Sequence, residues 1–159
     1  MKKIFIVFIL ISFLFSCSEN FDSNIYKKVE NENYSYLIPK DRNFEEGKYS
    51  KIITTSFPKE NDFSGTLSIK RVSISESGNN FNDFFKMHEN KKNHKETKNI
   101  KIDNIEAKRI VYEKNEAGAI KEVILALKGD IIHKIELFYL ENFSKKEEME
   151  NIIKSIKFK

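Results

Sequence analysis

The sequence predicts an α+β fold: an antiparallel β-sheet of about six to seven strands with helices on both faces. Three observations predict it. Short runs rich in β-branched and aromatic residues recur from residue 33 onward, closed by Pro, Gly or Asn. Two stretches leave that rhythm and place apolar residues at helical spacing. Some of the strand-like runs are apolar on both faces, so the sheet needs cover on both sides.

In chain order, residues 34–38 (YSYLI) make a strand ended by Pro39, and residues 51–57 (KIITTSF) make another closed by Pro58. Residues 65–74 (GTLSIKRVSI) make a third. There Leu67 and Ile69 share one face while Val72 and Ile74 share the other, which predicts a bulge near Arg71. Phe81, Phe84, Phe85 and His88 then fall at i, i+3, i+4 and i+7, the stripe of an amphipathic helix. Asn80, with Asp83 three residues on, is placed to cap it. Strands resume with a short one at Ile100 and Ile102 and a longer one over residues 105–114. A turn at residues 115–118 leads into residues 119–128 (AIKEVILALK). Gly129-Asp130 is a two-residue hairpin loop before residues 131–140 (IIHKIELFYL). Ser144 and Glu147 have capping-box spacing, and Met149, Ile152, Ile153 and Ile156 form the second helical stripe.

The first twenty residues carry a different message. Lys2 and Lys3 precede residues 4–15, which are apolar except for Ser12. That is the layout of a secretory signal peptide, and it is shorter than the roughly 20 apolar residues that span a bilayer. The run ends in Leu14-Phe15-Ser16-Cys17, which resembles the lipobox of bacterial lipoproteins, with Phe15 where that family prefers a smaller residue. The resemblance implies cleavage between Ser16 and Cys17 and lipidation of Cys17, the sole cysteine. Each buried methylene contributes about 0.8 kcal/mol, so two or three acyl chains anchor a protein firmly. The expected division is a signal peptide at residues 1–16, a lipidated cysteine and tether at 17–32, and a single α+β domain at 33–159.

Composition narrows the function classes. The formal net charge is +4, and without the two leader lysines it is about +2. Lys and Glu are interleaved along the chain, so no nucleic-acid partner is expected. With Cys17 modified, no thiol remains for a disulfide or for catalysis. His88 and His94 are six residues apart with Lys91-Lys92 between them, so neither metal nor cofactor is expected. His133 alternates with Ile131 and Ile135 and reads as a partly buried strand position. Asp41, Glu45, Glu46, Glu60 and Asp62 gather in loops without the spacing of a calcium site. The glycines are scattered and no nucleophile elbow occurs, so no catalytic residue is assigned and no enzyme is expected. Phe138 and Phe158 fall at core-facing positions by period.

The runs YLIP, TLSIKRV, IDNIEAKRIVYEK, AIKEVILALKGD, IIHKIELFYL and IIKSIKF, in that order around a Phe-rich helix, resemble the Mog1/PsbP-like fold. The lipoprotein leader adds a resemblance to the DcrB-like bacterial members. The resemblance implies a binding or assembly factor: one member binds a small GTPase and others serve photosystem assembly. The expectation is thus an envelope lipoprotein, held on the cell membrane or outer membrane by Cys17 with its domain outside the cytoplasm. Its domain is expected to bind a protein partner. The alternative is a carrier of a small hydrophobic ligand, in a groove between the first helix and the sheet at Phe81, Phe84 and Phe85.

Overall fold

A computed structural model describes residues 22–46, 52–60, 63–74 and 80–159. The signal peptide, the cleavage site at Ser16 and Cys17 itself lie outside the described residues.

The strands are β1 (Tyr26–Glu30), β2 (Tyr34–Pro39), β3 (Asn43–Glu46), β4 (Ile52–Glu60), β5 (Phe63–Ser73), β6 (His94–Ile102), β7 (Ile105–Tyr112), β8 (Ala119–Lys128), β9 (Ile131–Leu140) and β10 (Lys157–Phe158). Helix α1 (Phe81–Glu89) separates β5 from β6, and α2 (Lys146–Ser155) separates β9 from β10. They form a seven-stranded antiparallel sheet in the order β3-β4-β5-β9-β8-β7-β6 and a small sheet in the order β1-β2-β10. The α+β class with helices on both faces of the large sheet stands, with two differences. One face is shared by α2 and the small sheet, so residues 34–38 belong to a second layer. The folded chain also starts earlier than residue 33, because Tyr26–Glu30 of the expected tether pairs with β2.

Side-chain alternation sorts the residues into two cores. The larger lies between the seven-stranded sheet and the α2 layer. It collects Leu67, Ile69, Ile124, Ile135 and Leu137 from the sheet, Met149, Ile152, Ile153 and Ile156 from the α2 segment, and Tyr34, Tyr36, Ile38 and Phe158 from the small sheet. The smaller core has Ile110, Tyr112, Val123, Leu125 and Ile132 under the aromatic stripe of α1. β8 contributes to both, which is why VILAL has no alternation. β5 explains its own change of face in the same way. Its register with β9 runs unbroken from Thr66 to Ser73, so there is no bulge at Arg71. Leu67 and Ile69 serve the larger core, and Val72 and Ile74 pack against the smaller one. The irregularity falls in β4 between Ser56 and Lys59, where Pro58 cannot donate to a ladder.

Turn chemistry closes the hairpins. Asp103 (φ 52°) and Asn104 (φ 62°) join β6 to β7 with both residues left-handed, and Gly129 (φ 63°) opens the β8–β9 loop. β6 reaches back to His94, well beyond the short strand expected at Ile100 and Ile102. Asn80 caps α1, accepting from the Asp83 N–H at 3.0 Å and donating to its carboxylate at 2.8 Å. The helix start differs from the one expected at Ser144. α2 starts one residue later, with Lys145 at the cap position and no side-chain cap bond. Tertiary contacts place this helix instead. At Gly65 a Cβ would stand 2.7 Å from Met149 and Phe143, so only glycine lets them approach.

α2 yields a direct test. Ile153 is buried and Lys154 is exposed. Ile153→Asp puts an uncompensated charge into the larger core and removes most of a stability of about 5–15 kcal/mol. Lys154→Asp changes it by about 0.5 kcal/mol or less. Urea denaturation of the two variants separates them, and coincident midpoints would remove α2 from the sheet.

Candidate functional site

The predicted groove residues sit on α1. Phe81, Phe84 and Phe85 are half-buried and pack against the smaller core, with His88 fully under the helix. Phe84 lies 5.5 Å from the His88 ring, and the Lys108 ammonium stands 5.7 Å above the Phe85 ring. Phe84 and Phe85 therefore fill the space beneath the helix. An open groove of about 540 Å³ occurs at the N-terminal end of α1. Ile74, Phe81 and Leu127 form its apolar side, and Asn80, Asn82, Asp83 and Lys86 its polar side. Of the three phenylalanines only Phe81 borders it. Phe138, expected in the core, is 37% exposed, because α1 lies over β6, β7 and β8 and leaves that part of β9 open.

Two of the three histidines, His88 and His133, are internal. The Tyr112 hydroxyl lies 2.9 Å from His88 Nδ1 and donates to the His88 carbonyl at 3.2 Å. Burial, aided by Lys134 and Lys91, pulls His88 down to about 4. His133 is 2% exposed, deeper than the partly buried position expected. Its ring stacks on Phe158 at 4.1 Å, and burial with Arg71 and Lys128 pulls it down to about 4 as well. His94 begins β6 and bonds Thr97 at 2.9 Å. Among the described residues no group of three or more His, Cys, Asp or Glu could hold a metal. Of the acids expected in loops, Glu45 and Glu46 lie in β3 and Glu60 in β4, Asp41 bonds Arg42 at 2.6 Å, and Asp62 lies outside the described residues.

The densest charged constellation lies under α2, and the sequence reading missed it. Arg109 of β7 donates through Nε to Glu122 of β8 at 2.5 Å and through both terminal nitrogens to Glu150 of α2 at 2.8 and 2.5 Å. Glu122 is 3% exposed, and its other oxygen accepts from the buried Tyr139 hydroxyl. Nearby, Arg42 grips Glu148 at 2.8 and 3.1 Å. Burial opposes ionisation of Glu150, yet the Arg109 hydrogen bond holds its carboxyl below the ordinary range. Each of these carboxylate oxygens has a donor, so the cluster acts as a clamp between sheet and helix. Its signal was present in the sequence. Glu122 interrupts the face shared by Ile120 and Ile124, and Arg109 interrupts the corresponding face of the neighbouring strand.

No protein-family model matches the sequence, and no curated protein matches it. Solved structures do resemble the fold. The solution structure of cyanobacterial PsbP (CyanoP) from Synechocystis sp. PCC 6803 is 10% identical, with a TM-score of 0.57 over 92% of this chain and 99% of that one. A crystal structure from Bacteroides thetaiotaomicron VPI-5482 is 14% identical, with a TM-score of 0.55 over 79% of this chain. The chain spans 45% of that protein's length. The fold is PsbP-like. At these identities the likeness concerns the fold alone.

The internal titrating groups set a pH dependence. Unfolded histidine titrates near 6.5 and folded His88 and His133 near 4, so the unfolded chain binds more protons between those values. Stability is flat above about pH 6.5. It then falls on acidification by up to about 1.4 kcal/mol per pH unit for each histidine. Below about 4.5 the carboxylates add to the loss. Burial raises Glu136, but hydrogen bonds from Lys121 and Lys134 bring it to about 2, so its contribution fades as pH falls toward that value. Urea midpoints measured from pH 8 to pH 4 check this; a midpoint unchanged between 6.5 and 4.5 contradicts it.

Proposed function

We propose that the protein is an envelope lipoprotein, anchored through Cys17, whose PsbP-like domain is a non-catalytic module for binding or assembling a protein partner. The observation that carries this reading is Leu14-Phe15-Ser16-Cys17 after a short apolar run, with no other thiol in the chain. Among the described residues, no helix is long and apolar enough to cross a membrane. The start of β1 at Tyr26 limits the reach. The nine residue-to-residue steps from Cys17 to Tyr26 extend at most roughly 30 Å, which keeps the domain close to the bilayer.

The interior supports a binding role over catalysis. Both cores are lined by packed side chains, and Glu122, the buried carboxylate among the described residues, is engaged by Arg109 and Tyr139. The finer likeness to DcrB-like lipoproteins belongs to the same proposal. A carrier of a small hydrophobic ligand is the second reading. The groove at the N-terminal end of α1 favours it, although that groove is open and half polar.

Cys17→Ala tests the anchor. The wild-type chain is expected to incorporate labelled palmitate and enter the detergent phase, while the variant stays aqueous with its fold intact. Wild-type protein that is unlabelled and aqueous would overturn the reading.

A further inference from the structure

The junction of the two sheets holds two buried polar atoms that, among the described residues, have no hydrogen-bond partner: the Tyr34 hydroxyl and His133 Nδ1. A buried polar group without a partner is costly, and a native structure that keeps two side by side needs a reason. Their rings belong to one aromatic cluster. Tyr34 meets His133 edge-on at 5.6 Å and Phe158 at 6.4 Å, and His133 stacks on Phe158 at 4.1 Å. The three rings come from β2, β9 and β10, so this cluster ties the C-terminal strand to both sheets. β10 is only two residues long, paired with Ser35 and Tyr34 of β2.

We propose that Tyr34, His133 and Phe158 form an acid-released latch, in which protonation of His133 frees β10 from β2 while the seven-stranded sheet stays folded. A neutral ring stacks on Phe158 and tolerates an apolar site; an imidazolium there loses its hydration and finds no carboxylate. The charged groups facing it are cations. Arg71 of β5 stands opposite His133 in the ladder, and Lys128 of β8 bonds the Phe158 carbonyl at 2.6 Å. Tyr34 of β2 is raised well above its ordinary range by burial and stays neutral. Asp103, the nearby carboxylate of the β6–β7 turn, is engaged by the Phe158 N–H at 3.1 Å and by Lys157 at 3.2 Å.

Release is local because other bonds hold the rest. α2 keeps its arginine contacts, and Leu37 of β2 donates to Ser155 at 2.8 Å. The open form titrates at the ordinary histidine value and the closed form near 4. The open-to-closed ratio therefore rises up to about tenfold for each pH unit between about 6.5 and 4. Opening leaves one edge of β2 free.

The test is an NMR titration of the full chain from pH 7.5 to 4, following the His133 ring and the backbone amides together. The expected result is that the Lys157 and Phe158 amides move toward random-coil positions with the same midpoint as the His133 ring, while the β8 and β9 amides stay dispersed. His133→Phe keeps the stack without a titrating group, so its β10 amides should not respond, while α1 still follows His88. Three results overturn the latch: His133 titrating with β10 unmoved, β10 responding equally in His133→Phe, or β8 and β9 melting at the same midpoint. If His133→Phe does not fold, the first and third are still read in the wild-type chain.

Discussion

A single guanidinium, that of Arg109, organises the larger core. Glu122 lies within the sheet face where Ile124 and Leu137 are packed away from water, and an isolated carboxylate cannot remain charged there. Arg109 supplies the opposite charge from the adjacent strand and uses its remaining nitrogens on Glu150 of α2. The helix is thereby fixed to the sheet in one register. Arg42 repeats the device at Glu148, and the stripe from Met149 to Ile153 is pressed between the two clamps. Buried ion pairs add little net stability over apolar packing, but removing one partner is severe. Their effect is to specify where α2 sits.

From that placement the rest of the architecture follows. With α2 over one end of the sheet, the small sheet of β1, β2 and β10 covers what remains of that face, and the chain terminus is drawn in beside β2. On the other face α1 covers β6, β7 and β8, while β5 meets the smaller core only near Val72 and part of β9 is left open. Thr66, Ser68 and Lys70 accordingly point out opposite Leu67 and Ile69. The asymmetry leaves Phe138 partly exposed, and an open groove lies at the N-terminus of α1.

Much of this was legible in the sequence because period and caps are local. The α1 stripe, its Asn80 cap, the Gly129-Asp130 hairpin and the doubly apolar β8 all follow from neighbours within a few residues. What escaped is non-local. YKKVE in β1 has one buried residue and looks like tether until β2 pairs with it, and two residues at the C-terminus become a strand only beside Tyr34. Ser144 has the right spacing for a cap, yet the packing of α2 sets the helix start a residue later. Arg109 and Glu122 were visible as opposite charges on the core faces of adjacent strands. Their partner Glu150 is 41 residues from Arg109, and only the fold brings it in. The groove residues were named as one stripe; Phe81 borders the open groove, while the half-buried Phe84 and Phe85 pack against the smaller core.

The central claim, that one arginine shared by two carboxylates sets α2 on the sheet, is tested most directly by a double-mutant cycle on Arg109 and Glu122 in urea. Arg109→Leu alone strands Glu122 and should cost about 3–5 kcal/mol, whereas Arg109→Leu combined with Glu122→Leu should recover a large part of that loss. Effects that add to within about 0.5 kcal/mol would mean the two charges do not act together, and the clamp would not be what holds the helix.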